Sequence, residues 1–428
     1  MTSAESVICR QESDRPMGDL CIQNAIPVDV ARGEIRPACS IIVENGLIAA
    51  LTDDPAATAR TVIDAGGGYL APGLIDCHVH FFLDAGHAPR VTYLEANDQM
   101  RMKWAVRNAA IAIEAGITTV RDMAAPAPLM FELERQVASG AVRGPHIVSC
   151  GYALMRPAGH CHWFGGGEVT SVADVRRTIE SNLEQGAGFV KLMASGGGLT
   201  PGTVPHEADL DLELMREAAE VAHANGTHIT AHCHATASIE RAIEAGLDMI
   251  EHVNFVEPPG RYRYDEQVAL RIGERGIVVS PTVFSALQTV RRFRKAGKTH
   301  HAGDVAATER LEGRLINTGH FYRLGLKIIG GTDCGATDTP FDSLVDEILS
   351  YTRVGLSRAE ALRSVTSDAA EFLGLGAVGQ VQQGCRADLT LLAGNPLNDL
   401  EQLRRPLRVF KSGRLIHEHS REGGNGED

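Results

Sequence analysis

The chain lacks the features of a secreted, membrane-spanning or nucleic-acid-binding protein. Its nine cysteines are scattered, form no Cys-x-x-Cys pair and are odd in number. That usage argues against an oxidised framework and for a reduced, cytoplasmic setting. No run approaches the ~20 consecutive apolar residues of a membrane span, and Met1 to Gly18 has no apolar signal-peptide centre. Cations are in deficit: 41 Lys and Arg stand against 54 Asp and Glu, a formal net charge of -13. A nucleic-acid surface would need a basic stripe instead. The basic run Arg291-Arg292-Phe293-Arg294-Lys295 is local, and reads as a solvated helix face or the flank of a substrate loop.

What remains is an ordinary globular composition, 44% hydrophobic and 22% charged over 428 residues. That length suits a ~250-residue barrel with a smaller domain beside it. Residues 1–17 are polar and read as disordered, as does the polar, Gly-rich tail 418–428. Residues 18–70 have a short, strand-like texture, with Asn45-Gly46 as a hairpin turn between apolar runs. The same texture returns in 380–417, so the two ends are expected to pair into one small β-sandwich domain. Between them, 71–379 alternates strand and helix signals. Candidate strands are Gly73–His78, Ile117–Asp122, His146–Cys150, Phe189–Ala194, His228–Cys233, Met249–Val253, Ile277–Thr282 and Lys327–Thr332. Helical patterns separate them, several ending on a glycine (Gly116, Gly186, Gly246) where a helix C-cap favours one. This α/β alternation predicts a (β/α)8 TIM barrel, or more loosely a doubly wound sheet. The barrel is preferred because it gathers the carboxyl ends of all its strands around one mouth.

Those ends carry chemistry. In Ala71-Pro-Gly-Leu-Ile-Asp-Cys-His-Val-His, His78 and His80 lie two apart and share a strand face, so both can offer imidazole to one ion. Lys191 sits in the buried-strand run Gly188-Phe-Val-Lys-Leu-Met-Ala. A lysine there is costly unless paired, neutralised or converted by carbon dioxide to an anionic carbamate. His232 ends His228-Ile-Thr-Ala-His, His252 ends Met249-Ile-Glu-His, and Asp333 ends Lys327-Ile-Ile-Gly-Gly-Thr-Asp. Each residue alone is as readily structural as functional; together they form an ordered series of ligand types at strand ends.

That order, His-x-His, Lys, His, His, Asp, resembles the binuclear branch of the amidohydrolase superfamily with a carboxylated lysine. The closer resemblance is to Xaa-Pro dipeptidase-like and imidazolonepropionase-related amidohydrolases. It is carried by the His78 segment, Gly116-Ile-Thr-Thr-Val-Arg-Asp, Val190-Lys-Leu-Met-Ala-Ser-Gly-Gly, Ile250-Glu-His, Gly331-Thr-Asp and Gly384-Cys-Arg-Ala-Asp-Leu-Thr-Leu-Leu-Ala-Gly-Asn-Pro-Leu, and covers about residues 20–417. The resemblance implies two divalent metal ions, zinc first, with manganese or another dication as alternatives. His78, His80 and Asp333 would hold the more buried ion. Lys191, N6-carboxylated, would bridge, and His232 with His252 would complete the second. A bridging hydroxide would attack a polarised carbonyl while Asp333 moves the proton to the leaving group; His252 is the other catalytic candidate.

Substrate contacts are expected from Arg156, His160, His162 and Trp163 in the Gly-rich loop Tyr152–Gly167, and from His234, which shares a strand face with His232. Gly159-His160 resembles a Gly-His element of the dipeptidase-like enzymes. At His234 those relatives often carry a tyrosine that meets the substrate carboxylate, so a different preference is implied. Asp122 reads as an orienting group, His206 as a loop residue able to supply a polar contact, and His300-His301 as a surface loop pair with diverging side chains. The leading function is metal-dependent hydrolysis of an amide-type C–N bond in an N-acyl amino acid, dipeptide or related carboxamide. Alternatives are ester, lactone or phosphotriester hydrolysis at the same site, and a non-hydrolytic isomerase, decarboxylase or ligand-binding role. The expected partners are a small-molecule substrate and further copies of the chain in a homo-oligomer, with no nucleic acid and no membrane.

Overall fold

Short apolar strands alternating with amphipathic helices dictate a mixed α/β architecture for the middle of the chain. The computed structural model describes residues 18–299 and 302–419, so the segments 1–17 and 420–428 and the His300-His301 pair lie outside the described residues. Parallel strands Leu74–Val79, Ile117–Asp122 and His146–Ser149 form one sheet. A second contains Phe189–Met193, His228–Ala235, Met249–Glu257 and Val278–Ser280, again parallel. Nearly every residue of these strands is buried, except in His146–Ser149, where only Ser149 is. That is why they read as continuous apolar runs and not as alternation: both faces are covered.

Backbone hydrogen bonds continue between the sheets. Leu154 N donates to Lys191 O and Met193 N to Leu154 O, both at 2.8 Å. At the other edge, Val279 N donates to Lys327 O and Ile329 N to Val279 O, both at 3.0 Å; Cys77 N donates to Gly330 O at 3.0 Å and Asp333 N to His78 O at 2.8 Å. The expected strand Lys327–Thr332 is therefore not a regular strand but a segment held by isolated bridges, Val279 to Ile328 and Val79 to Cys334. Gly330 N turns aside to Ser364 O at 2.9 Å, which interrupts the ladder. Gly331 is needed there, because a Cβ would lie 2.7 Å from the Cβ of His78. The seventh strand, Val278–Ser280, is shorter than expected. Pro281 has no N–H to donate, and Thr282 turns into the left-handed region at φ 49°.

Helices Asp98–Glu114, Ala127–Ser139, Val172–Glu184, Leu212–Ala224, Thr236–Ala245 and Glu266–Glu274 separate the strands. Gly246 closes the fifth of these in a left-handed C-cap, φ 79°. After Val278–Ser280 come two further helices, Val283–Lys295 and the 22-residue Ala302–Arg323, which pack on each other.

A nine-stranded sheet unites the chain ends. Tyr69–Pro72 pairs in parallel with Leu20–Asp29 and antiparallel with Leu389–Leu392, which continues through Arg408–Lys411 to Arg414–Glu418. Asn45 and Gly46, at φ 53° and 78°, form the tight turn between Cys39–Glu44 and Leu47–Thr52. Ile22, Ile41, Val43, Leu70, Leu389 and Phe410 give this sheet a core of its own. Among the described residues no helix is long and apolar enough to cross a membrane.

Candidate metal centre

The carboxyl ends of the parallel strands open into a cavity of about 460 Å³ lined by His78, His80, Lys191, His232, His252 and Asp333. Two clusters of possible metal donors stand there: His78, His80 and Asp333, and His232, His234 and His252.

The first is set by one strand and one bridged segment. Buried Asp76 accepts from His78 N and Thr332 N, both at 3.1 Å, and from Thr332 Oγ1 at 2.6 Å, tying the backbone of His78 to that of Thr332, the neighbour of Asp333. Asp122 Oδ2 accepts from Phe81 N at 2.8 Å, fixing the chain just after His80; this is an orienting role. Burial pushes both Asp76 and Asp122 up to about 7. Nε2 of His78 and of His80 lie 3.4 and 3.3 Å from the same oxygen, Asp333 Oδ1. Burial alone would raise the Asp333 carboxyl, but His78 and His80 outweigh it and hold it well below the usual range. Asp333 itself sits at φ 63°, a conformation that costs a non-glycine residue about 1–3 kcal/mol.

The second cluster comes from two neighbouring parallel strands. His232 Nε2 lies 3.2 Å from Gly196 O. His252 Nδ1 is 2.6 Å from Thr282 Oγ1, and that hydroxyl donates to Pro281 O at 2.8 Å. With its proton spent there, Thr282 accepts from Nδ1–H, leaving the lone pair of His252 on Nε2. His234 is wired the other way. Asn254 Nδ2 lies 2.7 Å from His234 Nδ1; in this amide orientation it donates, so the His234 proton sits on Nε2. His234 therefore offers a donor where its neighbours offer lone pairs. Burial holds His232, His234 and His252 well below the ordinary histidine value, so all three are neutral near pH 7.

Lys191 lies beneath both clusters and its ammonium bonds to Glu251 Oε2, which in turn has Thr230 and, at 4.0 Å, Arg121 beside its other oxygen. Lys191 and Glu251 are essentially unexposed. Removing either partner would leave a buried charge uncompensated, typically about 3–5 kcal/mol.

These donors fit divalent ions. Separations of 3.3 and 3.4 Å are long for hydrogen bonds, yet match the ~3.3 Å edge of a tetrahedral site with metal–ligand bonds of about 2.0–2.1 Å. Neutral imidazoles beside an ionised carboxylate are the forms that ligate.

Of the expected substrate residues, His160 and His234 line the cavity. His160 stacks on His232, ring centroids 4.6 Å apart. It can do so because Gly197 has no side chain; a Cβ there would lie 2.4 Å from the His160 ring. Burial lowers the His160 imidazole to about 3. The other three are not brought to the cavity. Trp163 Nε1 donates to Thr200 Oγ1 at 3.0 Å and its ring packs on Tyr93. Arg156 pairs with Asp209 at 3.1 Å, and His162 is half-exposed beside Glu168. His206 is also absent from the lining.

Sequence reasoning passed over Glu251, Thr282, Asn254 and Arg314. Glu251 had a signal, a charge inside an apolar strand run like that of Lys191, two strands away. Thr282 and Asn254 had none.

Residues 69–416 match the Amidohydrolase family. Ochratoxinase from Aspergillus niger is 27% identical over 382 residues, 81% of this chain and 75% of that protein. A solved structure of an Xaa-Pro dipeptidase with bound methionine superposes with a TM-score of 0.83 at 23% identity, over 94% of this chain and 100% of that one. A prolidase complexed with N-methylphosphonate-L-proline gives a TM-score of 0.81 at 26% identity, with the same coverage, 94% and 100%. Because the family match runs from the small sheet's central strand through the parallel strands and back to that sheet's last strand, this protein belongs to the amidohydrolase family and is a hydrolase of C–N bonds.

Proposed function

We propose that the enzyme cleaves the amide C–N bond of an N-acyl amino acid, dipeptide or related carboxamide at a binuclear metal centre. The observation that carries this reading is two donor clusters on one cavity wall with Lys191 beneath them. The similarity to an Xaa-Pro dipeptidase and a prolidase supports the dipeptide class. We place the centre at the mouth of a (β/α)8 barrel spanning 71–379, supported by the hydrogen bonds that link Leu74–Val79 to Asp333 and Leu154 to Lys191. Segments 18–70 and 380–417 make the second domain.

His78, His80 and Asp333 would hold one ion, and His232 with His252 the other. Lys191 would join them as a carbamate, exchanging its ammonium for an anion that two dications offset. Bound ions supply Lewis acidity and lower the pKa of a water; zinc is the first candidate, manganese the second. The chain does the rest. Asp333, kept ionised by its two histidines, takes a proton on its carboxylate and delivers it to the departing amine. His234 directs Nε2–H at a substrate acceptor, and His160 walls the site against bulk water. The cysteines among the described residues, Cys21, Cys39, Cys77, Cys150, Cys161, Cys233, Cys334 and Cys385, are all free, which supports a reducing, cytoplasmic location.

The test is protein reconstituted with zinc or manganese and bicarbonate, offered N-acyl amino acids, dipeptides, carboxamides and esters, with product masses measured. Two metal equivalents per chain and an amine-plus-acid product pair are expected. Turnover of esters with no amide cleaved would overturn the amide assignment. One equivalent with Lys191 unmodified by mass would reduce the centre to a single ion.

A further inference from the structure

A second wall of the cavity is helical. Along Ala302–Arg323, the residues Gly303, Ala306, Ala307, Arg310 and Arg314 line it, and their spacing of three or four places them on one helix face. Small side chains occupy the first turns of this stripe and leave room; two arginines occupy the next.

The cavity's cations differ in what they already hold. Lys191 bonds to Glu251. Arg292 Nη1 lies 3.3 Å from Asp338 Oδ2. Arg314 is buried and donates through Nη1 to the Thr282 carbonyl and, at 2.7 Å, to Ser285 Oγ. Arg310 is half-buried and has no hydrogen bond or ion pair among the described residues. Among the described residues, Asp333 is the one acid lining the cavity, and it faces His78 and His80. A guanidinium in a partly dry cavity with no internal counter-ion is costly, and its planar fork matches a carboxylate in a bidentate pair. His234 lines the same cavity.

We propose that Arg310 receives a carboxylate of the substrate and so determines specificity for anionic amides over their neutral counterparts. The inference rests on the amide-hydrolase reading and extends it to a helix that carries none of the metal donors. Arg314 is a positioning residue here: its hydrogen bonds hold Thr282, and its charge adds to the anion's field.

The experiment pairs each active amide with its neutral twin, for example N-acetyl-L-phenylalanine with N-acetyl-L-phenylalaninamide, on metal-loaded enzyme. Wild type should favour the carboxylate member at least tenfold in kcat/KM. In Arg310→Met that ratio should fall at least tenfold, with most of the loss in KM, and Arg310→Lys should lie between. A ratio unchanged in Arg310→Met overturns the proposal. Calorimetric binding of 3-phenylpropanoate, which has no bond to cleave, separates this from failure of the amide reading. Its Kd should weaken at least tenfold in Arg310→Met even if no amide is turned over; an equal Kd in the two proteins overturns the assignment.

Discussion

The two walls of the cavity are built on different principles. The strand-end wall holds its side chains through backbone and buried polar contacts that leave little choice of rotamer. Asp76 clamps Thr332 to His78, Thr282 faces His252, and Asn254 faces His234. His252, Thr282 and Asp333 all have left-handed backbones, φ 68°, 49° and 63°, strain that only a rigid surround sustains. The helical wall is anchored by side chains reaching out from its helices: Asn317 Nδ2 donates to Val253 O and Asn254 O, both at 3.2 Å. Arg314 reaches Thr282 and Ser285. Buried Glu347 accepts from Val283 N and Phe284 N at 2.9 and 2.6 Å, capping Val283–Lys295. Beyond those anchors the helical wall offers Arg310, which has no partner among the described residues. The contrast teaches a division of labour: groups whose separation must be right to tenths of an ångström sit on strand ends, while a group that selects by charge rides on a helix.

The largest effect should come from the strand-end wall. Asp333→Asn keeps the volume and removes both the base and the anionic donor, so kcat should collapse by at least ~10²–10⁴-fold. Steady-state kinetics on protein with confirmed metal content measure it, and near-normal turnover would sink the proton-transfer role of Asp333.

A smaller effect tests how the same wall is supported. Thr282→Val keeps the β-branch and the shape but deletes the hydroxyl that faces His252 Nδ1. Loss of such a support typically costs about 10–100-fold in metal affinity. Competition with a chelator should show the second equivalent leaving first, with the site of His78, His80 and Asp333 little changed. Equal loss of both would mean that the clusters bind as one unit.

The smallest effect tests the seating of the helical wall. Burial raises the Glu347 carboxyl from 4.5 to about 7. A folded-state value above the unfolded one means the native protein holds that proton more tightly. The stability it contributes is complete below pH 4.5 and is lost as pH rises through about 7. Glu347→Gln cannot titrate and still accepts one N–H. Between pH 5 and pH 8 wild type should therefore lose a few degrees in Tm relative to the variant, each kcal/mol being worth about 1 °C in a chain of 428 residues. A pH-independent difference would show that the two N–H donors keep the carboxylate ionised throughout.

Much of the strand-end wall was legible because its signals are local. His78 and His80 announce a shared face by the period of two, and Lys191 stands out as a cation in an apolar strand. The series as a whole pointed to the amidohydrolase superfamily, where the family match now places the chain. Legibility failed where no period exists. The Gly-rich loop 152–167 offers Arg156, His160, His162 and Trp163 on equal terms, and only His160 reaches the cavity. Asp209, Glu168 and Thr200, far along the chain or in the loop's own return, draw the other three away. Lys327–Thr332 reads as a strand by composition, yet Ser364 intercepts its ladder.

The family, a leading C–N hydrolase reading and the residues that share a strand face are all visible in the sequence, because periodicity and buried charge are properties of neighbours along the chain. The proton positions that the contacts of His234 and His252 favour, the meeting of Glu251 with Lys191 and the absence of a partner for Arg310 among the described residues emerge only in the folded chain. Those facts depend on atoms from segments tens of residues apart meeting within 3 or 4 Å, and no local pattern encodes where such segments come together.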